Sequence, residues 1–184
     1  MLNIAQNNIT SGSSDTFKLL RALLLMKSDR LICLNLSDNE LGADFFSNLG
    51  HEALTDLQDL SLSNTRLTNK SLVDLSEFYN HHRFSLVNLN MSSNFFTAEA
   101  FFKFVNALKI DQTLRRLDLS RNDLNMVRED GIPGPFFTAM DQYLSTNKSL
   151  EELNLSDCKL GQEGAQVVGR GLRRNQRLAR LFLA

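Results

Sequence analysis

One spacing of leucines recurs along the chain and limits the folds that it can adopt. The pattern is Leu-x-x-Leu-x-Leu-x-x-Asn-x-Leu, and a full copy runs from Leu31 to Leu41. Within each copy, apolar and polar residues alternate, which is the period of a half-buried strand. Because the pattern keeps returning, it predicts a solenoid in which each unit stacks on the next. Further copies occupy residues 57–67, 86–96, 114–124 and 150–160, with clipped copies at 2–9 and 178–183.

The residue that ends each predicted strand is expected to hold the turn. It is most often Asn, whose side-chain amide can bond backbone groups that would otherwise be buried without partners. Thr and Cys replace it in two copies. The intervals between successive turn residues are 32, 26, 29, 28 and 36 residues. The turn residues are Asn7, Asn39, Thr65, Asn94, Asn122 and Cys158.

A helix is predicted after each of four turns. Apolar residues recur seven, ten and fourteen positions after the turn residue, and such steps place them on one helical face. Each unit is therefore a strand, a turn and a helix. Strands are predicted near residues 33–36, 59–62, 88–91, 116–119 and 152–155, with further segments at 2–4 and 180–183. The helix-face positions are Phe46, Leu49 and Ala53, then Leu72, Leu75 and Tyr79, then Phe101, Phe104 and Leu108, and finally Ala165, Val168 and Leu172.

The stretch Leu160-Gly161-Gln162-Glu163-Gly164-Ala165 opens a predicted helix after a turn. Together with the leucine pattern, it resembles the ribonuclease-inhibitor class of leucine-rich repeats, a class also found in the NOD-like receptors. Tropomodulins and CARMIL-type actin regulators use similar arrays, and no residues here single them out. The resemblance covers essentially the whole chain. It implies an α/β right-handed solenoid, a horseshoe arc with a parallel sheet on the concave face and helices on the convex face. Residues 1–184 are predicted to form a single array of about six repeats, with truncated units at both ends.

Composition and charge narrow the range of partners. A net charge of −1 gives no electrostatic reason to expect nucleic acid or a membrane surface as a partner. The two cysteines, Cys33 and Cys158, are predicted to lie four strand steps apart, roughly 19 Å. A disulfide needs Cα atoms within about 7 Å. A reducing, cytoplasmic setting is therefore expected. Neither end carries a polar cap, which favours part of a longer array or ends covered by a partner.

The concave face is the first candidate binding surface. Alternation along each strand places polar side chains outward on this face, and solenoids commonly bind partners there. The charges of Arg116, Glu152 and Arg180 alternate on adjacent strands, so mutual neutralisation is the structural alternative. The residues predicted to contact a partner are Asp59, Asn88, Asn90, Arg116, Asp118, Glu152 and Asn154.

Two other segments are candidate contacts. The last interval between turn residues requires about eight extra residues, which fit within 125–135, and insertions in repeats often lie on the binding face. A neutral insertion is the alternative. The charged residues of this predicted loop are Arg128, Glu129 and Asp130. Five arginines between positions 170 and 180 form either a site for an acidic partner or a solvated helix end.

No nucleophile, phosphate-binding or metal-ligand motif occurs, so neither catalysis nor a cofactor or metal is expected. The sequence predicts a non-catalytic intracellular scaffold that binds a protein partner through its concave face and adjoining loops. The resemblance leaves two alternatives open. One is a GTPase-activating protein of the Ran type, which would need a loop arginine such as Arg66, Arg121 or Arg128. The other is the ligand-sensing module of a larger NOD-like receptor.

Overall fold

A computed structural model describes residues 1–10, 14–26, 31–81, 85–124 and 135–183. The loop candidates Arg128, Glu129 and Asp130 lie outside these residues. Within them, strands and helices alternate along the chain, and every strand belongs to one parallel sheet.

The sheet has seven strands in the described residues, and their order in space is their order in sequence. Each strand pairs in parallel with the next, in a register that aligns one inward leucine per strand, such as Leu60 with Leu89. The predicted strands are confirmed, and each one ends one residue earlier than predicted. The ladder still continues past them, since the Leu36 amide donates to the Ser61 carbonyl at 2.9 Å. The strands are β1 (Leu2–Asn3), β2 (Cys33–Asn35), β3 (Asp59–Ser61), β4 (Asn88–Asn90), β5 (Arg116–Asp118), β6 (Glu152–Asn154) and β7 (Arg180–Phe182).

Helices form the second layer and pack against one another in sequence order. Because every connection between neighbouring parallel strands crosses the same side of the sheet, the helices lie on the convex side and the opposite sheet face is concave. This is the predicted α/β leucine-rich-repeat solenoid. The helices are α1 (Ser14–Met26), α2 (Phe45–Leu49), α3 (Asn69–His81), α4 (Ala98–Leu108), α5 (Pro135–Thr146) and α6 (Gly161–Leu172).

The helix of the second unit is shorter than the sequence predicts. Phe46 and Leu49 are buried as expected, but α2 ends at Leu49 and a separate 3-10 helix, His51–Leu54, follows. Gly50 separates the two with a φ of 79°, a conformation that residues with a side chain adopt only with strain. Ala53 therefore lies in the 3-10 helix and not on the predicted α-helical face.

The buried face of α6 also differs from the prediction. Ala165 is exposed, whereas Gly164 and Gly171 are buried beside Val167 and Val168. A Cβ on Gly171 would lie 2.8 Å from the Leu144 Cβ, so the absence of a side chain lets α6 approach α5 closely. The period of the helix was predicted correctly, but the glycines turn a different side of it toward α5.

Phenylalanines fill the space between the sheet and the helices. Phe101 contacts Phe96 and Phe136, with ring centroids 5.5 and 6.2 Å apart. Phe136 in turn lies 5.6 Å from Phe137. All four rings are buried and form part of the core.

The turn residues form a second ladder beneath the sheet edge. The Asn122 Oδ1 accepts from the Asn94 amide at 3.2 Å, and its Nδ2 donates to the Leu119 carbonyl at 2.8 Å. Thr65 and Cys158 make part of the same set of contacts. The Thr65 Oγ1 donates to the Leu62 carbonyl at 2.7 Å, and the Cys158 Sγ donates to the Leu119 carbonyl at 3.2 Å. The predicted role of the turn residue is confirmed, and the ladder fixes each strand against its neighbour.

Candidate concave binding surface

An open groove of about 560 Å³ runs along the concave face across strands β2 to β6. The leucines that align across the strands lie at the floor of the groove, and the outward polar side chains of the strands also line it. The structure brings all seven predicted contact residues together in this groove. They are Asp59, Asn88, Asn90, Arg116, Asp118, Glu152 and Asn154.

The first outward residue of each strand takes part in a continuous row of polar contacts. The Cys33 Sγ donates to the Asp59 Oδ2 at 3.1 Å, and the Asn88 Nδ2 donates to the other oxygen of that carboxylate. The Arg116 guanidinium then donates to the Asn88 Oδ1 at 2.9 Å. Four side chains on four adjacent strands are therefore held in position by one another.

Glu152 continues this row between two arginines. Its Oε2 lies 3.6 Å from the Arg116 Nε and 2.5 Å from the Arg180 Nη2. The mutual neutralisation considered from the sequence therefore takes place. The Arg116 and Glu152 side chains remain 54% and 26% exposed, so such a pair adds only about 0–1 kcal/mol to stability and leaves both groups within reach of a partner.

In β4, β5 and β6, the second outward residue fixes the end of its own strand. The Oδ1 atoms of Asn90, Asp118 and Asn154 accept the backbone amide two residues further on, at 2.9, 2.9 and 3.0 Å. Asn154 also donates across the sheet to the Asp118 Oδ2 at 3.0 Å. The wall of the groove is polar and already ordered before any partner arrives.

Two carboxylates of the groove lack a cationic partner. Among the described residues, no Lys, Arg or His nitrogen lies within 4.0 Å of a carboxylate oxygen of Asp59 or Asp118, and both carboxylates accept hydrogen bonds from neutral donors. Glu152, by contrast, is shared by Arg116 and Arg180. The middle of the groove therefore offers negatively charged acceptors that no cation of the described residues neutralises.

Comparison with known proteins agrees with this architecture. A family model described as "Leucine Rich repeat" matches residues 111–125 and 146–169. These two segments are leucine-rich repeats, and the strands and helices of the described residues form a leucine-rich-repeat solenoid. No curated protein matches it in sequence. The ribonuclease-inhibitor subclass and the relation to NOD-like receptors stay predictions.

Two solved structures share the solenoid. The tropomodulin C-terminal domain of Caenorhabditis elegans superposes with a TM-score of 0.59 at 17% identity, covering 86% of this chain and 94% of that one. A structure titled "Leiomodin-1 Actin-Binding Site 2 (ABS2)" superposes with a TM-score of 0.56 at 17% identity, covering 86% of this chain and 90% of that one. Identity at this level establishes the shared fold alone.

Both cysteines are free thiols. The hydrogen bond to Asp59, followed by burial and the charge of that carboxylate, raises the pKa of Cys33. Burial raises the pKa of Cys158 to about 11. Because the thiolate is the nucleophilic form, neither cysteine is set up as a nucleophile at neutral pH.

Two of the loop arginines considered from the sequence, Arg66 and Arg121, pair with carboxylates of neighbouring turns. Arg66 is 2.8 Å from a carboxylate oxygen of Glu40, and Arg121 is 3.6 Å from one of Asp157. Each ion pair joins the turns of adjacent repeats. Arg128 lies outside the described residues. The two described arginines thus connect neighbouring turns, and neither is directed into the groove as a lone cation.

One exposed residue in a turn was not identified from the sequence. Phe95 is 66% exposed and occupies the turn position that carries Glu40, Arg66, Asp123 and Lys159 in the other repeats. Aligning the repeats by their turn residues would have revealed this exception. An exposed aromatic ring surrounded by charged turns is a residue type enriched in protein interfaces.

In the described part of the chain, no three His, Cys, Asp or Glu side chains cluster as metal ligands. Within those same residues, every helix falls short of the length and apolar character needed to cross a membrane.

Proposed function

We propose that this leucine-rich repeat protein is a non-catalytic interaction module that binds a segment of a protein partner in the concave groove. One observation carries the proposal: polar side chains from adjacent strands line a single groove of about 560 Å³ and are already fixed by contacts with one another. Pre-ordered side chains lose little conformational entropy when a partner binds. A concave surface with ordered polar groups is therefore suited to recognising a protein segment.

The charge of the groove favours a partner segment that carries a basic side chain. Asp59 and Asp118 offer carboxylate oxygens that no described cation neutralises. A lysine or arginine from the partner would supply the missing charge, and charge-assisted hydrogen bonds are stronger than neutral ones. Phe95 on the rim would add an apolar contact at the edge of the same surface. The partner is expected to approach from the concave side.

Actin is the first named protein to test as the partner. The neighbour titled leiomodin-1 actin-binding site has the same solenoid, but a shared fold does not carry a shared partner. We further propose that residues 1–184 form one array of about six repeats with truncated ends, and that it works in a reducing, intracellular setting. The free thiols of Cys33 and Cys158 support that setting. A contribution of Arg128, Glu129 and Asp130 from the inserted loop is part of the same proposal.

The experiment selects peptides that bind the protein and then asks where they bind. Peptides are selected from a random displayed library on the intact chain, and their affinities are measured by fluorescence anisotropy, with actin measured in parallel. The test variant combines Asp118→Asn with Glu152→Gln, which removes charge and keeps the side-chain size. The control combines Glu77→Gln with Glu99→Gln, two exposed carboxylates on α3 and α4.

We expect the groove variant to bind the selected peptides roughly tenfold more weakly, and the helix variant less than about twofold more weakly. Only the substitutions of the groove variant lie on the contact surface. The peptides should be enriched in Lys or Arg. If the selected peptides bind the groove variant as tightly as the native chain but bind the helix variant more weakly, binding takes place on the convex side. A third variant lacking residues 127–134 tests the loop: unchanged affinity would mean that the insertion is neutral.

A further inference from the structure

Positive charge is concentrated at one end of the molecule. Residues 161–184 contain five arginines and a single acidic residue, Glu163, which gives a net charge of +4. The remaining residues sum to −5, because the whole chain has a net charge of −1. The near-neutral total therefore hides a strong asymmetry, and the basic end differs in character from the groove.

The five arginines fall into two groups. Arg177 pairs with Glu151, and Arg180 pairs with Glu152 at the edge of the sheet. Arg170, Arg173 and Arg174 are exposed, and within the described residues no carboxylate oxygen lies within 4.0 Å of their side-chain nitrogens. These three residues, called the arginine cluster below, lie at the C-terminal end of α6.

Repulsion within the arginine cluster offsets part of what its charges contribute to the helix. One cation near a helix C-terminus is favourable, because the end of the helix carries partial negative charge. Arg173 and Arg174 follow Arg170 by three and four positions, however, and like charges at those spacings repel one another. Helix stability therefore gives only a weak reason for three exposed cations, without an ion pair among the described residues, to lie together.

A shallow depression lies within the cluster. Its volume is about 390 Å³, and it is lined by Gln166, Gly169, Arg170 and Arg173. Gly169 forms the floor, where a Cβ would have no heavy atom within 4 Å. The missing side chain leaves space for a small planar group between the two arginines. A carboxylate fits this chemistry, because guanidinium groups bind carboxylates through two parallel hydrogen bonds.

We propose that the arginine cluster is a second interaction surface, on the convex side, for a protein segment rich in Asp and Glu. Charge complementarity selects this occupant. A long polyanion such as duplex DNA would extend beyond three cations and meet the net negative remainder of the chain, at distances where screening is incomplete. A short acidic segment escapes that repulsion. The surface is independent of the concave groove, which is expected to take a basic segment.

The test measures binding of fluorescein-labelled octaglutamate to the intact protein by anisotropy, at low and at high salt. The variant replaces Arg170, Arg173 and Arg174 together with Gln, and all three are exposed. We expect binding at low salt, weakened by roughly tenfold in the variant. Circular dichroism checks that the variant is folded, and a triple Arg→Lys version, which keeps the charge, should restore part of the affinity.

A charge-matched control replaces Lys103, Lys109 and Lys148 with Gln, since these exposed lysines lie on or next to α4 and α5. The control should retain affinity within about twofold. Equal loss in both variants, or no binding of octaglutamate by the native chain, would overturn the proposal. So would tighter binding of duplex DNA or anionic vesicles that depends on the same three arginines. The Asp118→Asn, Glu152→Gln variant should bind octaglutamate normally, so failure of the groove proposal would be distinguishable from failure of this one.

Discussion

Glycines on α6 differ in what surrounds them, although they share one helix. At Gly164 an added Cβ would lie 2.7 Å from the Leu160 Cβ and 3.0 Å from the Phe137 ring. At Gly169 it would meet nothing within 4 Å. Packing therefore requires glycine at position 164, whereas no contact within 4 Å requires glycine at position 169.

This contrast predicts opposite effects of one substitution. Gly169→Ala should stabilise the protein by about 0.5–1 kcal/mol, because alanine has the higher helix propensity and no clash follows. Gly164→Ala should destabilise it by about 1–3 kcal/mol through overpacking against Phe137. Urea unfolding followed by circular dichroism measures both. If the two variants shift the free energy of unfolding in the same direction, the packing of α6 on α5 is described wrongly.

At the same scale, strand parity predicted which side chains face the groove but not their contacts. Asp59 and Arg116 were expected on the concave face because every second residue of a strand points the same way. The bond from Cys33 to Asp59 could not be predicted, since it depends on the rotamers that neighbouring strands allow. Phe95 was missed because the leucine pattern says nothing of the variable turn positions between its fixed residues.

Among the structural elements, the ladder of turn residues connects repeats more directly than the helices do. Asn122 is buried and bonds backbone groups of two repeats: its Nδ2 donates to Leu119 and to Met91, at 2.8 and 3.1 Å. Its Oδ1 accepts from the Asn94 amide at 3.2 Å. One side chain thus satisfies polar groups that would otherwise be buried without partners.

Replacing this side chain should show how much the ladder contributes. Asn122→Ala leaves several backbone groups unpaired, each at a cost of about 1–3 kcal/mol, and should lower the free energy of unfolding by at least that much. Asn122→Thr should cost less, because Thr65, two positions earlier in the ladder, donates its hydroxyl to a backbone carbonyl in the same way. Guanidinium unfolding compares the two. Equal losses would mean that side-chain volume, rather than hydrogen bonding, matters at this position.

Helix positions followed from the repeat period, and the exceptions have local causes. The spacing of apolar residues predicted α3 and α4 with their buried faces, because steps of three and four residues repeat on one side of a helix. It failed at α2, where Gly50 adopts a positive φ within the shortest interval between turns. It also failed for Ala165 in α6, since close approach to α5 depends on side chains that are absent.

At the scale of the whole molecule, the repeat predicted the sheet and the groove. It did not predict which charged side chains pair with one another. From the sequence, the five arginines between positions 170 and 180 form either a site for an acidic partner or a solvated helix end. The structure shows that Glu151 and Glu152 neutralise Arg177 and Arg180 and leave Arg170, Arg173 and Arg174 exposed. Which cations are paired depends on cross-strand distances, and a linear sequence does not contain them.

The repeats should also unfold together when a central one is damaged. Leu119 is fully buried next to β5, and an unpaired carboxylate buried there would cost several kcal/mol. Each repeat contacts only its neighbours, so a central disruption removes the interfaces on both sides. Leu119→Asp should therefore abolish amide protection from hydrogen exchange in the β4 and β6 repeats as well as its own. The matched control, Leu19→Asp, places the same residue at a leucine that is 71% exposed on α1 and should leave protection unchanged. Protection lost only between residues 114 and 124 would show that the repeats fold independently, contrary to this prediction.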